Sequence, residues 1–244
     1  MEHPRLRDRN KLITQELYPI NEIPEDIIFK IAGYFAYLLY VGRKDITGND
    51  WGDAFAQAIN GTHLDSPVGI ADVVIGKMAW SMKTVKNSDP LSATRVRLIS
   101  GRCSPDYSYG ITDPHIDIEK TGRAVLGIWN ERVNLALDNY NPVRTMILVR
   151  SEDCLSFCLY EQEIHRFATN DYEWIVNKNG NLIGLNKSTG RQSFTWQPHG
   201  SQFTIHEEIP QNAVRFKLRQ PPMISKDDIL KSIHFDTSWV TIIR

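Results

Sequence analysis

Cysteine is scarce. Cys103, Cys154 and Cys158 are the only three in 244 residues, and no two of them stand in CxxC spacing. An odd, scattered set speaks against a disulfide framework and a cysteine zinc site, and suggests a reducing compartment, the cytoplasm. Long apolar runs are missing too. The longest, Ile31–Val41, is eleven residues, too short to span a bilayer and better read as a buried helix. The opening MEHPRLRDRNK has no apolar signal core, so no secretory leader is expected. Basic residues are not in excess. The formal net charge is −1, so any hold on nucleic acid must come from a local cluster. The chain lacks GxxxxGK[ST], GxGxxG after a strand, HExxH and GxSxG, which removes the usual marks of phosphate-loop, dinucleotide, zinc-protease and hydrolase chemistry. Its seven histidines show no metal-ligand spacing, no His-x-Lys nuclease pair occurs, and there is no internal repeat.

What is present is an ordinary globular composition, 41% hydrophobic and 23% charged. Residues 1–22 read as an exposed arm. Ile23-Pro24-Glu25-Asp26 opens a helix to about Val41, with apolar residues at helical spacing. A second helix, Asp50–Ile59, has Asn49 or Asp50 as its expected N-cap. Thr94–Gly101 reads as a strand, and Gly101–His115 as a long loop. Residues 116–139 carry the clearest amphipathic helix, and Arg144–Val149 and Leu155–Tyr160 read as buried strands, the first of them parallel. From Ile164 the texture changes to five short strands between polar turns such as NKNGN. The tail begins a short helix at Ser225 and ends in an expected strand, WVTII.

The most informative stretch is Gly69–Lys86. Ile70–Ile75 and Met78–Val85 read as two strands joined at Gly76-Lys77. With side chains alternating between faces, Asp72 shares one face with Ser81 and Lys83, while Trp80 and Met82 point to the other. An acid followed about ten residues later by (Asp/Glu)-x-Lys across a hairpin resembles the core of the PD-(D/E)xK nuclease superfamily. Here the motif is Asp72…Ser81-Met82-Lys83, with a serine where an acid is expected and Ala71 in place of the proline. The resemblance covers roughly Gly48–Arg102.

That resemblance implies an α/β restriction-endonuclease-like core: a mixed central sheet flanked by helices, plus a β-rich C-terminal lobe. The expected division is 1–164 for the core and 165–244 for the lobe. The implied activity is Mg²⁺-dependent hydrolysis of double-stranded DNA by a sequence-specific type II restriction endonuclease. It would act as a homodimer in the cytoplasm beside a companion methyltransferase. Asp72 would hold metal, Ser81 a metal-bound water, and Lys83 would orient the attacking water. Asp53, in the helix before the acidic strand, and Glu131, mid-helix, are candidates for the missing carboxylate. Asp53 equally suits the dipole at a helix start, and Glu131 a solvated face.

For DNA contact the residue types point to Arg95, Arg97, Arg102, Tyr107, Tyr109, Lys187, Arg191, Gln197, His199 and Gln202, which suit phosphates and base edges. The tyrosines equally suit packing, and the polar residues equally suit hairpin loops. A structure-specific or repair nuclease on the same core, and a non-catalytic DNA-binding module, are the alternatives.

Overall fold

The computed structural model describes residues 16–243. Two sheets organise it. The first has six strands in the order β1 (Thr62–Val68), β2 (Ala71–Ile75), β3 (Met78–Lys86), β5 (Val143–Arg150), β6 (Ser156–Glu163) and β11 (Val214–Lys217). It is mixed: β3 and β5 run parallel, and every other neighbouring pair is antiparallel. Parallel neighbours need a long crossover, and the connection from β3 to β5 contains α4 (Ile118–Asn139). The second sheet is antiparallel throughout, in the order β4 (Arg95–Arg102), β10 (Gln202–Glu208), β9 (Gln192–Gln197), β8 (Leu182–Asn186) and β7 (Tyr172–Val176).

Alternation along β3 decides what covers each face of the first sheet. Trp80 and Met82 join Val73, Met146, Leu148, Phe157 and Leu159 against α1 (Glu25–Tyr40) and α2 (Gly48–Ile59). Helix α1 buries Ile27, Ile31, Phe35, Leu38 and Leu39, a single stripe at helical spacing. On the other face, Ala79 and Val143 meet Val125, Trp129, Val133 and Ala136 of α4, and Ile147, Val149 and Tyr160 meet Val96 and Leu98 of β4. The second sheet and α4 therefore lie over the face that carries Asp72, Ser81 and Lys83.

Several expectations change. Of the expected arm, residues 1–15 lie outside the described residues. Tyr18 is buried, donating its hydroxyl to Glu161, so the chain is docked by that point. The cap of α2 is Thr47, not Asn49 or Asp50; Asp50 closes a capping box by accepting from the Thr47 backbone N–H. The 101–115 loop contains α3 (Pro105–Tyr109), capped by Ser104 and ended by Gly110 at φ +67°. Among the described residues the WVTII tail joins no sheet; α5 (Lys226–Ser232) precedes it with no buried residue. The expected boundary at 164/165 does not separate the sheets: β4 crosses into the second, and β11 returns to pair with β6 of the first. Among the described residues, no helix is long and apolar enough to cross a membrane.

Candidate active site

The β2–β3 hairpin turns at Gly76-Lys77, with Gly76 at φ +56° and Ile75 opposite Met78. That register brings Asp72 across from Ser81. Asp72 Oδ2 accepts the Met82 backbone N–H at 2.7 Å and stands 3.4 Å from Ser81 Oγ. Lys83 Nζ donates to Ser81 Oγ at 2.9 Å and to the Met82 carbonyl at 3.3 Å. Acid, hydroxyl and amine thus form one hydrogen-bonded chain across two strands. The row continues through Thr145, opposite Ser81 on β5, to Gln162, opposite Thr145 on β6.

The surroundings are tight. Ser81 is fully buried and Lys83 half-buried. Lys83 faces a cavity with room for about one water molecule, walled by Thr145 and Gln162 of the first sheet and Leu98, Ile205 and Glu207 of the second. Burial pushes the Lys83 amine below the usual lysine range; the Asp72 carboxylate pulls it back, and the Arg132 guanidinium lowers it further. Across the cavity, burial raises Glu207, while a hydrogen bond from Gln162 and the charge of Arg95 oppose the shift.

Neither expected second acid reaches Asp72. Asp53 is on α2, which covers the opposite face of the sheet. Its Oδ1 lies 2.8 Å from His63 Nδ1, and His63 pairs with Val73, whose side chain faces the helices. The His63 ring also fills the space beside Gly52, where an added Cβ would sit 2.5 Å from Nε2. Glu131 is exposed on the solvent side of α4 and accepts from Asn134. From α4, Trp129 lines the Lys83 cavity, and Arg132 lies near enough for its charge to act on Lys83. It donates to the Ser100 carbonyl at 3.2 Å and stands beside Cys103, whose thiol burial pushes up to about 11 against the pull of the guanidinium. A signal for Arg132 exists in the sequence. It lies three residues after Trp129 and four before Ala136, so it is a cation on the apolar stripe.

At the hairpin the available donors are oxygens: the Asp72 carboxylate, the Ser81 hydroxyl and the Met82 carbonyl. Among the described residues no group of three His, Cys, Asp or Glu side chains is gathered there or elsewhere. A single carboxylate with hard oxygen neighbours fits Mg²⁺, which keeps several waters and takes substrate phosphate oxygens besides one or two protein acids.

The expected DNA contacts fall at two ends of the second sheet. Arg102 pairs with Gln202, and Gln202 with Gln197; His199 is in the β9–β10 turn, and α3, with exposed Tyr107 and Tyr109, follows β4 directly. This end adjoins the hairpin, because Ser100, two residues before Arg102, lines the same cavity as Lys83. Arg95, Lys187 and Arg191 lie at the far end. There Arg191 pairs with Glu208, Lys187 donates to the Asn170 carbonyl, and Arg95 donates to the Gln192 carbonyl. Arg97 is mid-strand on the outer face, opposite His206.

Comparison with family models, with curated proteins and with solved structures finds no match to this chain.

Proposed function

We propose that the chain is a Mg²⁺-dependent endodeoxyribonuclease of the PD-(D/E)xK kind, acting on double-stranded DNA in the manner of a type II restriction enzyme. The observation that carries this reading is the chain Asp72–Ser81–Lys83, held across a hairpin whose second strand runs parallel to the strand after α4. Helix, three antiparallel strands, helix and parallel strand is the order expected of that nuclease core, here with β4 and α3 inserted. Six of the ten expected DNA contacts at the hairpin end of the second sheet support a duplex lying across Asp72.

Asp72 and the Met82 carbonyl would hold the ion, which supplies Lewis acidity at the scissile phosphate. Lys83 holds a proton at Nζ. From its place beside Ser81 it positions the attacking water and offsets negative charge developing on the phosphate. Ser81 is neutral and cannot replace a second carboxylate; it fixes the lysine. A homodimer matches the twofold symmetry of a palindromic site, and a companion methyltransferase belongs to the same reading.

The test is digestion of supercoiled plasmid and phage DNA by the full chain, with the ends mapped. Discrete fragments are expected with Mg²⁺ and none in EDTA. Asp72→Ala and Lys83→Met should each lower cleavage by about a hundredfold or more, and Ser81→Ala by about tenfold. Circular dichroism serves as the folding control. Full cleavage by a folded Asp72→Ala or Lys83→Met variant would remove the nuclease reading. DNA retained without cleavage under every metal condition would favour a binding module.

A further inference from the structure

Residues 219–243 leave the fold with none of their number buried, yet the stretch is apolar. Met223, Phe235, Trp239, Val240, Ile242 and Ile243 are 44–91% exposed. At roughly 150–200 Å² per large apolar residue they show about 600–800 Å² to solvent. Few monomers leave that much apolar surface in one place, and a standard interface buries about 800 Å² on each partner. This tail is also organised. Ser225 caps α5, Phe235 and Trp239 meet edge to face at 5.6 Å, and Asp236 accepts the Ser238 backbone N–H at 2.7 Å. A helix of seven residues does not hold in water by itself, so the tail needs a surface to rest on.

Such a surface lies on the same chain. Tyr34 and Tyr37 of α1, with Ala54 and Ala58 of α2, line an open groove of about 580 Å³. From Lys30 to Tyr37, α1 borders it for about 10 Å, the length of α5. Ile229 and, at the C-cap, Ile233 share one face of α5, with Leu230 beside them, the spacing that seats a helix in an apolar groove. The tail sets out beside α1, where the Ile224 N–H donates to the Tyr40 carbonyl at 2.9 Å. It does not enter the groove: no tail residue lines it, and Trp239, Val240, Ile242 and Ile243 stay exposed. From Ile233 to Ile243 there is no Lys or Arg, which speaks against a nucleic acid or an anionic lipid surface as the partner. A second copy of the chain carries both halves of the contact, and a twofold axis satisfies both at once.

We propose that two copies of the chain exchange these tails, each laying α5 and residues 233–243 into the α1–α2 groove of the other. The groove is on the helix-covered side of the first sheet, away from Lys83, so the exchange does not rest on the nuclease reading.

The test is sedimentation of the full chain over a range of concentrations. Twice the chain mass of 28.0 kDa is expected at micromolar protein, and a wild-type monomer overturns the exchange. Trp239→Ser with Ile242→Ser removes the anchors of the tail, and Tyr37→Glu puts a charge in the groove. Each should weaken self-association about a hundredfold or more, with circular dichroism as the folding control. A dimer indifferent to either change overturns the exchange. Mixing the two variants separates exchange from a tail-to-tail contact. One keeps its groove and the other its tail, so the mixture should associate at lower concentration than either alone; no gain on mixing overturns the exchange. Should Tyr37→Glu not fold, hydroxyl-radical footprinting of the wild type decides. Dilution to monomer should raise oxidation of Tyr37 and Trp239 together, and a rise at only one of them overturns the exchange. An exchanged dimer that cuts no DNA keeps the proposal and removes the nuclease, and DNA cleavage by a monomer does the reverse.

Discussion

At the scale of single residues, a side chain's charge and hydrogen bonding are set by neighbours distant in the chain. His206 illustrates this away from the site. Its Nε2 lies 2.9 Å from the Thr195 hydroxyl oxygen and 3.2 Å from the Gln192 amide nitrogen. Burial, then the charges of Arg97 and Arg95, lower it from 6.5 to about 4. Between those values the unfolded chain binds the proton and the folded chain does not, so stability rises with pH through this window and is lost as pH falls from 6.5 toward 4. The shift corresponds to at most about 3 kcal/mol. His206→Gln, which keeps an acceptor but cannot charge, should flatten the acid limb. Urea unfolding of both proteins between pH 4 and 7 measures the difference, and parallel curves would contradict it. Asp72, Ser81 and Lys83 were legible as residues because strand alternation alone sets their common face. Arg132, His206 and Glu207 were not, since each owes its surroundings to a strand or helix far away in sequence. The exclusion of Asp53 and Glu131 from the site depends likewise on which face α2 covers and how α4 is rotated.

At the level of elements, local signals served where they were strong. The hairpin, α1, α4 and β7–β10 were readable from apolar periodicity and turn chemistry. Strand β1, THLDSPV, was not, because its proline and sparse apolar residues suit only a sheet edge, which is its place. Helix α3 left a usable sign, Ser-Pro at its start and glycine at its end. Docking of residues 16–21 had none. It depends on Glu161, fully buried on β6, which accepts from Tyr18 at 3.0 Å, from Trp80 Nε1 at 2.6 Å and from Arg144 at 3.1 Å, while its backbone N–H donates to Asn21. Arg144, also buried, donates to Glu16 and to the Tyr18 carbonyl. This network pins the entering segment across β3, β5 and β6. Arg144→Met should cost about 3–5 kcal/mol, because it leaves the Glu161 charge buried without its cation. Arg144→Met with Glu161→Leu should recover much of that loss. Thermal or urea unfolding of the single and double variants decides. A double variant less stable than the sum of the two singles would contradict the pairing.

For the whole molecule, the important property is that neither half of the chain completes a sheet or the site. Strand β4 leaves the first half to pair with β10, and β11 returns from the second half to pair with β6. The wall of the Lys83 cavity follows suit, with Thr145 and Gln162 from the first half and Ile205 and Glu207 from the second. A fragment ending at residue 164 would leave β4 without a partner strand. It would also strip Trp174, Phe194, Trp196 and Phe203 from Val125, Leu126 and Trp129 of α4. Four buried aromatics at roughly 1.5–3 kcal/mol each amount to about 6–12 kcal/mol, comparable with the entire stability of a domain. The fragment should therefore show no cooperative unfolding transition and should be cut rapidly by protease within β4 and α4. The full chain should resist cleavage there. Mixing it with a separately made 165–244 fragment should restore protection at β4, since the β4–β10 ladder then reforms. A cooperatively folded 1–164 fragment would show that the second sheet is an accessory to the hairpin. Failure of the fragment alone, with rescue by its complement, would make both sheets one folding unit, with the Lys83 cavity enclosed between them.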